Sequence, residues 1–258
     1  MVEYLSGGRV QGSSTAEATP TYGGDDITDI GTFSPVGSSG DTFYVVEDTT
    51  NKTIDVKNAG NSGVDSSPSI GYIDLGSSLS STAWLLRYKL KFNTMTAESS
   101  GGKSFLTSFG IVDEADGAHG TGTEDGFKHY FIADAGSSQT QFKKLIGGND
   151  SDWVSMSWTP TATTIYVEMK FDSGTCTTKF YSDEFSTQLS GTSTVSKSGS
   201  FDDLRYFQFV LRQDTGGNGV MDIEVSDLKI YDGVTTTQTD EKTTITNVPA
   251  NTRYEETD

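Results

Sequence analysis

Apolar and polar residues alternate along many short segments of this 258-residue chain. The clearest segment is 83–92, which alternates apolar side chains with basic ones. Its apolar positions are Trp84, Leu86, Tyr88, Leu90 and Phe92, and its basic positions are Arg87, Lys89 and Lys91. A period of two is typical of a β-strand with one buried face. The segment therefore predicts a strand that contributes large side chains to a core.

Comparable segments follow at short spacing, separated by clusters of Asn, Gly, Ser and Asp. They predict strands at 42–47, 53–57, 69–75, 105–112, 127–133, 141–146, 164–171 and 177–182. Segment 204–233 predicts two more strands, joined by a Gly-rich turn at 214–219. No segment shows a sustained helical period. About a dozen short strands with differentiated faces predict an all-β fold of two packed antiparallel sheets.

The composition supports a core of aromatic residues and limits the partners. The chain has 14 Phe and 11 Tyr, although only 33% of its residues are hydrophobic. Its formal net charge of −18 disfavours nucleic acid and anionic membrane surfaces as partners. No apolar run has the length of a membrane helix, so we predict no membrane insertion. Cys176 is the only cysteine, which excludes an intrachain disulfide and a thiolate metal site.

We predict three parts of the chain. A sandwich domain covers residues 40–234, and polar segments at 1–39 and 235–258 flank it as connectors. The N-terminal connector contains one short apolar run, Tyr4-Leu5, that could pair as an edge strand.

The order of the predicted strands resembles the concanavalin A-like lectin/glucanase jelly roll, including its laminin G-like branch. Residues 40–233 carry the resemblance, through a strand–turn–strand segment and the closing pattern I-x-x-x-x-x-x-I-Y-D-G. The matching positions are Tyr166, Asp172, Gly174, Tyr181 and Ile223–Gly233. The resemblance implies a two-sheet antiparallel jelly-roll sandwich, a fold that includes lectins, glycoside hydrolases and polysaccharide lyases.

The two connectors carry a second resemblance. Residues 3–14 and 247–258 are similar to segments that flank such modules in marine archaeal proteins and in structural proteins of phages and archaeal viruses. This resemblance implies a virion or a cell surface as the location, and assembly into a homo-oligomer or a larger viral or surface structure.

We predict that the chain is not an enzyme. Hydrolases of this fold carry E-x-D-x-E on one strand, so that alternate carboxylates share a face. The nearest match is Asp222-Ile-Glu224-Val-Ser226, where Ser226 replaces the third carboxylate. The first two carboxylates are therefore expected on a solvated face. A lyase-like set of Arg, Gln, His and Tyr is not recognisable either.

The loop 113–126 contains a crowd of acidic residues among glycines. Oxygen ligands on a flexible loop suit Ca²⁺, so one calcium ion is the only cofactor we predict. The candidate ligands are Asp113, Glu114, Asp116, Glu124 and Asp125. The alternative is a solvated acidic loop without metal. His119 and His129 lie nearby, but two histidines without a third ligand do not predict a zinc site.

A sugar-binding surface is predicted around Trp153, because aromatic faces stack on pyranose rings. The candidate ligand-binding residues are Asn149, Asp152, Trp153 and His119. Trp84 and Trp158 are instead assigned to the core. The leading functional hypothesis is a non-catalytic module that binds a glycan or a cell-surface receptor. The alternative is a purely structural decoration domain of a capsid, tail or filament.

Overall fold

The computed structural model describes residues 3–5, 19–24, 26–59, 68–99, 105–115, 123–134, 137–161, 163–189, 194–213, 218–235 and 252–254. Contacts between residues divide the chain into two units. One unit comprises residues 1–19 and 236–258, in which β1 (Glu3–Leu5) pairs antiparallel with β16 (Thr252–Tyr254). The other unit comprises residues 20–235 and contains the remaining strands.

The unit 20–235 is a sandwich of two seven-stranded antiparallel sheets, which confirms the predicted fold class. Sheet I contains, in spatial order, β10 (Asn149–Met156), β9 (Ser137–Ile146), β8 (Gly126–Asp134), β7 (Phe105–Val112), β14 (Tyr206–Gln213), β5 (Ser69–Asp74) and β2 (Thr32–Ser34). Sheet II contains β13 (Val195–Ser198), β12 (Thr175–Tyr181), β11 (Thr164–Asp172), β6 (Ala83–Thr96), β15 (Val220–Asp232), β4 (Thr53–Ala59) and β3 (Phe43–Asp48).

Helical structure is slight. The described helix is the 3₁₀ turn Ile27–Ile30, which precedes β2 within the segment assigned to the N-terminal connector. Among the residues that the structure describes, no helix has the length and apolar character needed to cross a membrane.

Aromatic side chains fill the space between the sheets. Trp84 on β6 is fully buried and stacks on Phe171 of β11, with ring centroids 5.5 Å apart. Trp158 is half-buried and packs against the same core, so the assignment of both tryptophans to the core is confirmed. Large rings bury much apolar area each, which explains how a chain with a low hydrophobic fraction fills a wide sandwich.

Two hairpin predictions have different outcomes. Strands β11 and β12 pair through a tight turn at Ser173-Gly174, where both residues have positive φ (49° and 89°). Strands β14 and β15, which the sequence joins by a Gly-rich turn, do not pair: β14 lies in sheet I and β15 in sheet II. The connection between them therefore passes from one sheet to the other.

Candidate functional site

Three of the four residues of the predicted sugar site, Asn149, Asp152 and Trp153, lie on β10 at the edge of sheet I. Trp153 on β10 is 45% exposed and remains available for stacking. The Asp152 carboxylate is held by the ammonium groups of Lys144 (2.9 Å) and Lys197, and the hydrogen bond from Lys197, followed by that from Lys144, lowers the pKa of Asp152. Because Lys197 belongs to β13, this ion pair joins the two sheets. Asn149 begins β10.

The described acidic residues of the loop 113–126 form hydrogen bonds and ion pairs with different partners. Asp113 accepts a hydrogen bond from the Asp125 amide at 2.7 Å, and Asp125 accepts one from the Gly147 amide at 2.6 Å. Glu124 is buried and forms an ion pair with Lys128. Among the described residues, no group of three His, Cys, Asp or Glu side chains is placed to hold a metal ion.

Two of the predicted site residues, Asp116 and His119, lie outside the described part of the chain. The calcium site therefore stays a prediction.

The two carboxylates of the hydrolase-like pattern lie on the outward face of sheet II, the side turned away from the core. Asp222 faces Lys57, with 3.6 Å between the charged atoms. Glu224 accepts hydrogen bonds from Lys91 at 3.0 Å and from Asn93 at 2.7 Å. Burial acts to raise the pKa of Glu224, but these hydrogen bonds outweigh it and lower the pKa. Both carboxylates are partly exposed on this face, as predicted, and they form ion pairs that the sequence did not predict.

The outward face of sheet I carries a set of polar side chains that the prediction missed. It is assembled from four neighbouring strands, and its members are nearly or fully buried. We refer to this set as the polar row: Ser108, Lys128, Tyr130, Gln141, Lys143 and Gln208.

Strand register places the members of the polar row side by side. Tyr130 lies between Ser108 of β7 and Gln141 of β9. Lys128 lies directly opposite Lys143, which in turn lies opposite the exposed Trp153. Directly opposed side chains on one face of a sheet are close neighbours. The polar row therefore begins beside the exposed Trp153 at the edge of sheet I and continues across the outward face over side chains that are buried.

One half of the polar row is a closed hydrogen-bonded cluster. The Lys128 ammonium donates to Glu124 and to the side-chain oxygen of Gln208. The side-chain nitrogen of Gln208 donates to the backbone carbonyls of Glu114 (3.1 Å) and Ala115 (3.2 Å), so the segment after β7 lies against this face. Burial lowers the pKa of Lys128 and raises that of Glu124, and their mutual attraction opposes both effects.

The other half of the polar row combines a cation, an aromatic ring and an unsatisfied hydroxyl. The Lys143 ammonium lies 4.2 Å from the centroid of the Tyr130 ring, a cation–π contact. Beside Tyr130, the Ser108 hydroxyl oxygen is buried and has no hydrogen-bond partner among the described residues. A buried hydroxyl normally has a partner, so this position suits a polar ligand atom or water.

A signal for this row was present in the sequence. The predicted strands at 127–133 and 141–146 carry Lys128, Tyr130, Gln141 and Lys143 at the positions that alternate with the core residues. Such positions are usually exposed to solvent in a two-sheet sandwich. The alternation predicts that these residues face outward, but it does not reveal that they are buried.

Comparison with solved structures shows the fold. A marine alginate lyase of polysaccharide lyase family 7 from Zobellia galactanivorans has a TM-score of 0.51 and 14% identity, over 78% of this chain and 94% of the lyase chain. A legume lectin-like domain from Entamoeba histolytica has a TM-score of 0.51 and 10% identity, over 78% of this chain and 89% of that domain. No known family and no curated protein matches the sequence. The fold is the concanavalin A-like jelly roll, as the sequence resemblance implied.

The similarity to an alginate lyase overturns the prediction that the chain is not an enzyme. That prediction rested on two points: a third carboxylate, which hydrolysis of this type requires, is replaced by Ser226, and no lyase-like set of Arg, Gln, His and Tyr is recognisable in the sequence. A lyase breaks the glycosidic bond by elimination and not by hydrolysis, so it does not need this pair of carboxylates. The missing carboxylate argues only against the hydrolase reaction.

Proposed function

We propose that this protein is a carbohydrate-active protein that binds an acidic polysaccharide at the Trp153 end of the polar row of sheet I. The observation that carries the proposal is the placement of the Lys143 ammonium between the exposed Trp153 and the Tyr130 ring, in a protein of net charge −18. Lys128 beside it is already ion-paired with Glu124. At the outward positions of the five central strands that the structure describes, acidic side chains occur only at the strand ends, as Asp74 and Asp134.

The chemistry of the row suits a chain of uronic acid units. An ammonium group such as that of Lys143 pairs with a sugar carboxylate, and the side-chain amide of Gln141 can bond to a sugar hydroxyl. Ser108 is fully buried, so its unsatisfied hydroxyl suits a water molecule rather than the sugar. Trp153 adds an exposed aromatic face at the entrance. The lysine cations favour an acidic polysaccharide over a neutral one, for which ring stacking and hydroxyl contacts alone would suffice.

β-Elimination is the cleavage reaction that this set of groups favours. In that reaction the proton on the carbon beside the carboxylate is removed, the bond to the leaving glycosidic oxygen breaks, a carbon–carbon double bond forms, and the leaving oxygen gains a proton. A cation that neutralises the carboxylate makes the proton more acidic, which is the role proposed for Lys143. Tyr130 is the adjacent group proposed to transfer a proton.

The test measures binding and cleavage separately. The full chain is titrated with polyuronates, including alginate and polygalacturonate, and with a neutral β-glucan, and the unsaturated product is followed by its ultraviolet absorbance. We expect saturable binding of a polyuronate that weakens at least about tenfold in Lys143→Met, since one charge-assisted hydrogen bond contributes about 1.5–3 kcal/mol. Tyr130→Phe is expected to keep binding and to lose turnover.

Lys179→Met is the matched control, because Lys179 is a lysine of β12 in sheet II, outside the polar row. Thermal melting of each variant verifies that it is folded. Equal binding of polyuronate and neutral glucan, or binding unaffected by Lys143→Met, would contradict the proposed site. Binding without any elimination product would refute the proposed reaction while leaving the binding proposal intact.

The location and assembly predicted from the connectors are kept as part of the proposal. A virion or cell surface is a setting in which a polysaccharide-binding sandwich would meet its ligand, and a structural decoration domain is the alternative role there. A particle-association assay with the full-length gene product distinguishes the two: a decoration domain associates with its particle regardless of Lys143→Met.

A further inference from the structure

A second polar site lies on the opposite face of the sandwich. It is a cavity of about 470 Å³ on the outward face of sheet II, where the β3–β4 turn, β6, β15 and the segment before β2 meet. Ligand pockets commonly have volumes of ~300–1,000 Å³. The polar side chains that line the cavity come from Asn51, Lys52, Thr53, Lys89, Lys91, Glu224, Ser226 and Asp227.

The charges of this cavity are only partly neutralised. Lys91 forms an ion pair with Glu224, with 3.0 Å between the charged atoms. Lys52 and Lys89 form no ion pair with another residue of the described chain, although the Lys89 ammonium lies 5.9 Å from the Tyr166 ring centroid. Two lysine ammonium groups are therefore available to a ligand, in a protein whose overall charge repels anions.

The backbone around the cavity departs from regular sheet geometry. Lys52 and Asp227 both have positive φ, 58° and 53° respectively. The register between β15 and β6 shifts between Ser226 and Lys229, which indicates a β-bulge at Asp227. The positive φ of Lys52 belongs to the β3–β4 turn, whereas Asp227 has its positive φ within a strand, where this is uncommon for a non-glycine residue. Bulges redirect side chains and are frequent next to binding sites.

We propose that this cavity is a second saccharide site, which binds an anionic sugar unit through Lys52 and Lys89. The Asn51 side-chain nitrogen donates one hydrogen to Asp48 and has a second hydrogen for a sugar hydroxyl. The Thr53 hydroxyl donates to Asp55 and can accept from the sugar, as can the Asp227 carboxylate. The choice of saccharide rests on the proposed function, because the same polysaccharide then contacts both faces of the molecule. The shared chemistry of the ligand is a sugar that bears a carboxylate or a sulfate ester.

The test uses disaccharides, because one disaccharide molecule is too short to contact both proposed sites. A uronic acid disaccharide, a sulfated disaccharide and a neutral disaccharide are titrated into the full chain, and amide chemical shifts are followed by NMR. We expect shift changes at Asn51–Thr53 and Ser226–Leu228 with an anionic disaccharide and none with the neutral one. The double variant Lys52→Met/Lys89→Met is expected to weaken binding at these residues at least tenfold.

The controls separate this inference from the proposed function. Lys143→Met removes the cation of the polar row and is expected to leave the cavity shifts unchanged, and Lys179→Met is expected to affect neither site. If Lys143→Met lost binding of the anionic disaccharide and the double variant kept it, the second site would be refuted and the polar row supported. If the double variant lost binding and Lys143→Met kept it, the second site would be supported and the polar row contradicted. Unchanged binding in the double variant, or no shift at the cavity residues with either anion, refutes the second site.

Discussion

Acid should destabilise this protein through one buried histidine. His129 on β8 is fully buried, and burial lowers the pKa of its imidazole from 6.5 to about 3. The Thr178 hydroxyl donates its hydrogen to the Glu168 carbonyl at 3.1 Å, so it accepts from the His129 Nε2–H at 2.6 Å. His129 Nδ1 is then the unprotonated nitrogen, and it accepts from the Tyr88 hydroxyl at 3.0 Å. A second ring proton would face that donor without water to solvate it.

The size of this acid destabilisation follows from the linkage between protonation of His129 and folding. In the unfolded chain the imidazole gains a proton below pH 6.5, whereas in the folded chain it does so only near pH 3. The unfolded state therefore binds more protons between these values, and the free energy of unfolding falls as the pH falls through that window. The full effect is about 5 kcal/mol, of which about 2 kcal/mol is lost by pH 5. Above pH 6.5 the contribution is fully present.

The assay compares the parent with His129→Gln, whose amide can accept from Tyr88 and donate to Thr178 but does not titrate. Urea unfolding is measured from pH 8 to pH 5. The parent is expected to lose about 2 kcal/mol more than the variant over this range, because the other titrating groups are common to both. His119→Gln, at the other histidine of the chain, should follow the parent. A constant difference between parent and His129→Gln would refute the reasoning.

Direct titration covers the case in which the variant does not fold. The chain has only two histidines, so the imidazole resonances of the parent are readily distinguished by NMR. The His129 resonance should stay that of a neutral ring at pH 5. A midpoint near pH 6.5 in the folded protein would show that the site is solvated, contrary to its burial.

Three further predictions follow from the structure. Gly110→Ala should lower the free energy of unfolding by at least about 2 kcal/mol in a urea titration, because the added Cβ would lie 2.0 Å from the Phe127 carbonyl oxygen; an unchanged midpoint would contradict that close approach. The Cys176 thiol is buried, and burial raises its pKa, so a thiol reagent should modify it only in denaturant, and rapid reaction in native buffer would show that the site opens. If the acidic loop binds Ca²⁺, millimolar calcium should raise the melting temperature relative to EDTA, with about 2.7 kcal/mol expected at a hundredfold excess over Kd, and Asp113→Asn with Asp116→Asn should abolish the shift.

Local sequence determined much of the architecture of the sandwich. Alternation in the segment 83–92 identified β6, including the buried face that carries Trp84, and the turn at Ser173-Gly174 closed the β11–β12 hairpin as expected. These features depend on residues within one strand or one turn, so the period of two and the tolerance of positive φ are sufficient to predict them. Short edge strands such as β13, with four residues, lack enough alternation to be recognised.

Tertiary structure alone decided which strands are neighbours and what covers their outward faces. Backbone donors and acceptors are alike in every strand, so alternation cannot tell that β14 belongs to sheet I and β15 to sheet II. The polar row joins Ser108, Tyr130, Gln141 and Gln208 from four strands, and Gln208 lies about a hundred positions from Ser108 along the chain. Its burial arises from long-range contacts such as that of Gln208 with the carbonyls of Glu114 and Ala115. Contacts of this kind leave no periodic trace in the sequence, because they depend on packing between segments that are distant in the chain.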